Sequence, residues 1–373
     1  MSTQAPFKQS TPPKRLAEVP IRRVAILNPI CPKCGCKTTV KKGKRRNRMQ
    51  TLQVYECSEC LYHFTAGSPS KNKTYPLKVI LDAISTFNLG NSLTDTQRIM
   101  RRKAHIEIPA RTLQDWLKTY RPLCTFNRLR TAACRLYSPE TMIRSLELGH
   151  RQVYRFQLHR AKLDLLLNQS DYTAFTPLRD YFRHIEINFP HKLFTEAEHR
   201  SSKFPAELAP RVERKENHAT RMAALVLPTS LNNHKRHETL QRFMLVNDSV
   251  SVAVEIPIYL TATDLAYYRH HGFDLDFDAE VVTGHIDFLQ IRNGRLHILD
   301  YKPEARKETH AHVQLTIYAL ALARRTGLPL KLFKCAWFDE KDYFEFYPLT
   351  GVYGQATRTA SDIRKSPPLN RGF

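Results

Sequence analysis

The dipeptide Asn293-Gly294 restricts the fold of this chain more than any other feature. Asn-Gly between two apolar-rich runs is typical of a two-residue β-hairpin turn, because both residues tolerate positive φ angles. The flanking runs are VVTGHIDFLQ and RLHILDYK, and a segment of helical length follows them. The sequence therefore predicts two antiparallel strands and a helix over residues 281–318.

Polar side chains on these three elements are predicted to meet at one place. Side chains alternate along a strand, so Asp300 and Lys302 share a face with the apolar Leu296 and Ile298, while His297, Leu299 and Tyr301 share the other. Asp287 lies near the end of the partner strand. Residues four apart lie on one face of a helix. The convergent set is therefore Asp287, Asp300, Lys302, Gln314 and Tyr318.

Three segments in this order resemble the motifs of the PD-(D/E)XK nuclease superfamily, in particular its RecB-like branch. They are Gly284-His-Ile-Asp287 for G-x-I-D, Asp300-Tyr-Lys302 for D/E-x-K, and Gln314-Leu-Thr-Ile-Tyr318 for Q-x-x-x-Y. Carboxylates suit Mg²⁺ or Mn²⁺. The resemblance implies that Asp287, Asp300 and the backbone carbonyl of Tyr301 hold the ion. It also implies that Lys302 orients the nucleophile, and that Gln314 and Tyr318 position the phosphate backbone.

RecB-like nucleases also carry a metal-binding residue, often His, on an earlier helix. His237 matches that position best, and Glu238 and His234 are its rivals. The following β-rich run contains Glu255-Ile-Pro, which resembles the E-x-P element of the same branch. The fourth ligand is thus predicted as His237 with two alternatives open.

The positive charge of the chain is concentrated in its first third. The net charge is +23, and residues 1–135 hold 26 Lys/Arg against 7 Asp/Glu, whereas residues 236–373 hold 17 of each. Such asymmetry indicates a nucleic-acid contact surface on one domain. The sequence contains no run of about 18 apolar residues. We expect a soluble cytoplasmic protein without membrane contact, associated with the nucleoid if the source is prokaryotic.

Two C-x-x-C pairs predict a structural zinc ribbon. Cys31, Cys34, Cys57 and Cys60 have the spacing of two knuckles joined by a hairpin, and four thiolates close the coordination shell of zinc. Cys36 and His63 are nearby competitors for a ligand position, but we interpret Cys36 as a free thiol beside the knuckle and His63 as a partly exposed loop residue. An iron–sulfur cluster in the same cysteines stays an alternative.

Eight Lys/Arg between residues 33 and 48 favour phosphate contacts on the ribbon. The residues predicted to bind nucleic acid there are Lys41, Lys42, Lys44, Arg45, Arg46 and Arg48. Three helices predicted over residues 75–120 are typical of a helix-turn-helix, with Leu113, Trp116, Leu117 and Tyr120 buried. The predicted reader positions on the last helix are Arg111, Thr112, Gln114 and Lys118.

Residues 31–120 are similar to the N-terminal zinc-ribbon and helix-turn-helix region of some prokaryotic transposases. That resemblance implies a link to a mobile genetic element. The chain departs from those proteins afterwards, because a nuclease-like segment stands where they carry a catalytic domain with three separated acids. Between the helix-turn-helix and the nuclease-like segment, a basic amphipathic helix is predicted over residues 151–167, a second helix over 175–189, and a loop over 201–218. The acidic run Asp274–Glu280 is interpreted as a half-exposed strand or loop.

The predicted fold class is multidomain α+β, with a restriction-endonuclease-like α/β core and a mixed sheet at the C-terminus. The predicted parts are a flexible tail (1–24), zinc ribbon (25–70), helix-turn-helix (71–124), helical insert (125–222), nuclease domain (223–350) and C-terminal tail (351–373). The predicted function is that of a magnesium-dependent endonuclease acting on DNA, with a homodimer as one route to cutting both strands. A DNA-binding regulator with an inactive nuclease-like domain and an RNA-directed nuclease are the alternatives.

Overall fold

The computed structural model describes residues 29–31, 33–46, 51–65, 74–196, 199–201, 208, 210–230, 235–273 and 279–352. The chain divides into two compact units, Met1–Thr74 and Tyr75–Phe373. The predicted N-terminal tail, residues 353–373 of the predicted C-terminal tail, Arg48, His234 and most of the acidic run over 274–280 lie outside the described residues. Within the described residues no helix is long and apolar enough to span a membrane.

The first unit holds a three-stranded antiparallel sheet of β1 (Thr39–Arg46), β2 (Thr51–Cys57) and β3 (His63–Thr65). A bulge between Lys41 and Gly43 interrupts the β1–β2 register, and Gly43 has a φ of 130° that disfavours any side chain there. Tyr55 stacks on Phe64 beneath the cysteines. This small core gives the hairpin that the knuckle spacing predicts.

The second unit contains eleven helices and nine strands among its described residues. The helices are α1 (Leu77–Asn88), α2 (Leu93–Ala104), α3 (Ala110–Tyr120), α4 (Asn127–Leu136), α5 (Arg160–Leu167), α6 (Pro177–Ile187), α7 (Lys192–Glu196), α8 (His218–Val226), α9 (Arg236–Asn247), α10 (Ala262–His270) and α11 (Ala311–Thr326). The strands are β4 (Ile143–His150), β5 (Gln152–His159), β6 (His199–Arg200), β7 (Glu213–Arg214), β8 (Ser251–Thr261), β9 (Val281–Arg292), β10 (Arg295–Tyr301), β11 (Phe333–Phe338) and β12 (Tyr343–Phe346).

All nine strands form one mixed sheet in the order β4-β5-β8-β9-β10-β11-β12-β7, with β6 paired to β9. The β10–β11 pair is parallel, and the crossover that a parallel pair needs runs through α11; β6 also runs parallel to β9. The other strand pairs are antiparallel. The predicted α/β core with a mixed sheet is confirmed.

Each face of the sheet carries its own hydrophobic core. Leu296 and Ile298 of β10 pack with α11 on one face. Leu299 and Tyr301 pack on the other face, in a core shared with α1, α3, α8 and α9. The alternation predicted for β10 is therefore confirmed, and α1–α3 pack in a core continuous with the sheet.

The helices predicted for a helix-turn-helix form close to their expected bounds. α1 ends before Gly90, whose φ is 105°, and α2 begins after Ser92, whose hydroxyl accepts the N–H of Asp95. On α3 the side chains of Leu113, Trp116 and Tyr120 are buried as predicted, and Leu117 is half-buried. A role of α1, α2 and α3 in reading DNA stays a prediction.

The helix predicted over residues 151–167 is wrong in its first half. Residues 152–159 form β5, which pairs with β4 and β8, and only Arg160–Leu167 is helical. The alternation of exposed Val153 and Arg155 with buried Phe156 and Leu158 follows the period of a strand. The helix predicted over 175–189 is confirmed as α6. The described part of the predicted 201–218 loop includes the short strand β7.

Candidate active site

A tight turn joins the two strands that carry the acids. Asn293 and Gly294 have φ angles of 52° and 66°, the left-handed pair of a type I′ turn, and Arg292 faces Arg295 across it. The backbone N–H of Tyr301 donates to Oδ2 of Asp287 at 3.1 Å. Asp287 and Asp300 consequently line one pocket of about 360 Å³.

A chain of polar contacts links the end of β10 to α11. The ammonium of Lys302 lies 2.8 Å from Oδ2 of Asp300 and donates to Oε1 of Gln314 at 3.0 Å. The amide of Gln314 donates to the hydroxyl of Tyr318 at 2.6 Å. The structure thus brings together all five residues of the predicted convergent set, since each also lines the pocket.

Among the residues predicted for the fourth ligand, His237 lies beside the acids. Its Nδ1 is 3.4 Å from Oδ2 of Asp287, and its ring meets the ring of Tyr301 edge-on at 5.0 Å. Glu238 is exposed and pairs with Arg155 at 3.1 Å. Glu255 lines the pocket and accepts a hydrogen bond from Gln241 at 2.7 Å. The geometry therefore favours His237 over Glu238.

The two central carboxyls titrate in opposite directions because they share a buried site. Burial, followed by the charge of Asp287, holds the pKa of Asp300 well above its ordinary value. Burial also acts on Asp287, but the hydrogen bond and charge of His237 outweigh it and lower the pKa of Asp287 to about 2. Burial and the charge of Asp287 raise the pKa of Glu255 to about 7. Burial and the charge of Asp287 therefore disfavour further negative charge at this place, and a bound cation would allow the other carboxyls to ionise.

The types of donor atom at this place suit a divalent ion. Oδ2 of Asp300 is buried and has no hydrogen-bond partner among the described residues, although the Lys302 ammonium lies 2.8 Å away as an ion pair. Carboxylate oxygens are the ligands that Mg²⁺ and Mn²⁺ prefer. His237, Asp287 and Asp300 do not form a group of three ligand atoms within 4.8 Å of one another, a criterion that only the four cysteines meet among the described residues. The ligand set, including the carbonyl of Tyr301, stays a prediction.

The four predicted zinc ligands do meet. Their sulfurs lie within 4.8 Å of one another, with Cys31 to Cys60 at 3.6 Å and Cys34 to Cys57 at 3.5 Å. A tetrahedron with Zn–S bonds of about 2.3 Å has edges of about 3.8 Å. The backbone N–H of Cys60 is the largest of the causes that lower the pKa of Cys57 to about 6. The cluster is compatible with a zinc ribbon.

The neighbouring residues of that cluster have other partners. Thr38 donates its N–H to the sulfur of Cys36 at 3.2 Å, and the His63 ring contacts Glu56. Cys36 is a free thiol, as interpreted. His63 is exposed but lies on β3 and not in a loop, so that part of its interpretation is wrong. The predicted phosphate-binding residues Lys41, Lys42, Lys44, Arg45 and Arg46 are exposed on β1, and on α3 Arg111, Gln114 and Lys118 are exposed while Thr112 is half-buried.

Sequence reasoning missed one side of the pocket. His150, Gln152, Tyr154, Phe194 and Ser201 also line it. Gln152 and Tyr154 come from the segment predicted as a helix, so the hairpin that carries them with His150 was not expected. The strand-like alternation after residue 152 is the signal that finds it.

The site combines two strands that carry the acids and are joined by a hairpin turn, a Lys at the end of the second strand, and a helix with Gln and Tyr beside it. These features define a nuclease-like α/β domain. Residues 188–345 match the family model of the PD-(D/E)XK nuclease superfamily. The predicted superfamily is thereby confirmed for the C-terminal part of the chain, and the match begins ahead of the predicted boundary at residue 223. No curated protein and no solved structure matches the chain significantly. The RecB-like branch stays a prediction.

Proposed function

We propose that this protein is a magnesium-dependent deoxyribonuclease that hydrolyses phosphodiester bonds in the pocket of Asp287 and Asp300. The observation that carries the proposal is the convergence of Asp287, Asp300, Lys302, Gln314 and Tyr318 in one pocket, inside a region that matches a nuclease superfamily. The retained acids and lysine favour an enzyme over an inactive scaffold.

Asp287 and Asp300 would hold the ion, with His237 beside them. A bound divalent ion stabilises charge on the phosphoryl oxygens and lowers the pKa of an attacking water. Lys302 orients that water and offsets the charge that builds on the phosphate. Gln314 fixes the Lys302 ammonium by a hydrogen bond of 3.0 Å, and Tyr318 fixes Gln314 in turn. The side chains on α11 therefore keep the lysine in place before the substrate arrives.

Affinity for DNA comes largely from the N-terminal third in this proposal. Its net charge of +19, from 26 Lys/Arg against 7 Asp/Glu, contrasts with a balanced charge in residues 236–373. The exposed cations of β1 would contact phosphates, and α3 would read the duplex with Arg111, Gln114 and Lys118. The similarity to transposase N-termini favours a role in a mobile genetic element.

The test incubates purified full-length protein with plasmid, linear duplex and single-stranded DNA, in Mg²⁺, Mn²⁺ or EDTA. We expect cleavage in either metal and none in EDTA. Binding without cleavage under any condition would support the inactive regulator, and cleavage of RNA alone would support the RNA-directed alternative. Removing the charge of Lys44 and Arg45 together should weaken DNA binding and flatten its salt dependence.

A further inference from the structure

One wall of the candidate active-site pocket comes from residues that precede the family match. His150 ends β4, and Gln152 and Tyr154 lie on β5, which follows directly. All three line the pocket that holds Asp287 and Asp300, whereas the family model matches only residues 188–345. These three residues therefore belong to a hairpin that lies ahead of the family match, and the proposed hydrolysis leaves them without a role.

The wall consists of flat rings in a fixed arrangement. Tyr154 stacks on His285 with ring centroids 3.6 Å apart and planes inclined by 9°. His150 stacks on Phe194 at 4.0 Å and hydrogen-bonds to His285 at 2.9 Å. The other nitrogen of His150 hydrogen-bonds to His191, also at 2.9 Å. We refer to His150, Tyr154, Phe194 and His285 as the ring wall. Its exposed surface belongs to Tyr154 and His285, which are half-buried, since His150 and Phe194 are buried behind them.

The ring wall stands about one nucleotide away from the acids. His285 and Asp287 are two residues apart on β9 and both line the pocket, which separates them by about 6.6 Å along the strand. A phosphate held at the carboxylates would place its neighbouring nucleoside against the rings. Rings of this kind stack on any base, whatever its sequence.

Base pairing decides which DNA can place a base against the ring wall. In a duplex both faces of a base are covered by its stacked neighbours, so only an unpaired base can offer a face to Tyr154 or His285. The pocket has a volume of about 360 Å³, which is on the scale of one nucleotide. Asp300 is only 3% exposed within it, so the cleaved strand has to enter.

We propose that the ring wall stacks the base beside the scissile phosphate and makes the enzyme selective for DNA that is unpaired at that nucleotide. This inference rests on the proposed nuclease function and names its substrate class. The hairpin of β4 and β5 is then the element that sets specificity.

A binding experiment tests the ring wall without cleavage. Full-length Asp300→Asn protein is titrated into short single-stranded DNA containing 2-aminopurine, whose fluorescence is quenched when its ring stacks. We expect quenching that Tyr154→Phe retains and Tyr154→Ala loses. Val153→Ala is the matched control, since Val153 is the neighbouring residue on β5 and is 72% exposed. Equal quenching by Tyr154→Ala would overturn the proposal.

A cleavage experiment tests the same wall with active protein. We expect faster cleavage of single-stranded DNA than of the matching duplex, and a loss in kcat/KM of about 5- to 150-fold for Tyr154→Ala. An abasic nucleotide beside the cut should cause a similar loss in the wild type and no further loss in Tyr154→Ala. Losses that multiply, or equal cleavage of duplex and single strand, would overturn the selectivity. Absence of all cleavage would refute the nuclease function, and the quenching experiment would still decide the ring wall.

Discussion

A Cβ atom on Gly284 would lie 2.5 Å from Cε1 of Tyr318, closer than two such atoms can approach. It would also lie 2.7 Å from Oγ of Ser201. Tyr318 accepts the hydrogen bond of Gln314, which in turn accepts from Lys302. The glycine of the G-x-I-D segment therefore makes room for the tyrosine that completes the polar chain of the site.

Gly284→Ala should accordingly disturb both stability and activity. Pressing Tyr318 out of place should cost about 1–3 kcal/mol of unfolding free energy, the usual range for an overpacked core. Urea unfolding measures this, and DNA cleavage should fall with it. Gly149→Ala is the control, because a Cβ on this strand glycine meets nothing within 4 Å. Equal stability of the two variants would contradict the close contact.

Loss of the Lys302 side chain should lower the cleavage rate more than loss of Gln314, which accepts its hydrogen bond. Lys302→Met removes the ammonium that lies 2.8 Å from Asp300, and the cleavage rate should fall by roughly 10²- to 10³-fold, as when other charge-stabilising donors are lost. Gln314→Leu frees the ammonium from one partner and should cause a smaller loss. Lys307→Met, at a lysine 75% exposed by side chain, serves as the control. A wild-type rate for Lys302→Met would refute its role.

The cysteine cluster should hold one zinc ion per chain. Elemental emission on protein purified without added metal should give one equivalent of zinc, and a double change of Cys57 and Cys60 to Ser should remove it. Cys36→Ser should keep the metal, since its sulfur bonds to the Thr38 N–H instead. Visible absorbance with iron in place of zinc would favour the iron–sulfur alternative. Full zinc occupancy in the double variant would refute the ribbon.

A buried lysine should give the fold a characteristic pH dependence. Burial lowers the pKa of Lys162 from 10.5 to about 8, although Asp248 lies 3.3 Å away. Between these two values the unfolded chain binds more protons, so this group makes stability rise with pH over that window. Lys162→Met leaves Asp248 buried without its cation and should cost about 3–5 kcal/mol at pH 7.

The measurement for this pair compares urea unfolding of wild type and Lys162→Met at pH 7, 8, 9 and 10. The difference in unfolding free energy should grow as the pH rises above 8, because the penalty for charging the buried lysine disappears only in the wild type. A difference that shrinks over the same range would contradict a lowered pKa for Lys162. The contributions of other titrating groups to the unfolding free energy largely cancel in the comparison, because both proteins contain them.

The five convergent residues of the site could be predicted from the sequence because they lie on elements that follow one another closely in the chain. Asn293-Gly294 fixes the register that brings Asp287 to Tyr301, and the period of a helix places Gln314 beside Tyr318. The ring wall was not accessible in the same way. His150 and His285 are 135 residues apart, and their contact depends on strand pairing that no local pattern states. The sequence that follows Arg151 is basic and amphipathic. This pattern fits a helix as well as a hairpin, which is why a helix is predicted from residue 151.

The proposed nuclease activity is tested most directly by metal-dependent cleavage in the wild type and Asp300→Asn. Asparagine keeps the shape of the side chain and removes the charge that Asp287 and burial disfavour, so the variant should unfold at no lower urea concentration at pH 7. We predict that the wild type cleaves DNA in Mg²⁺ and not in EDTA, and that folded Asp300→Asn does not cleave in either. Cleavage at the wild-type rate by Asp300→Asn would contradict the assignment of this pocket as the active site.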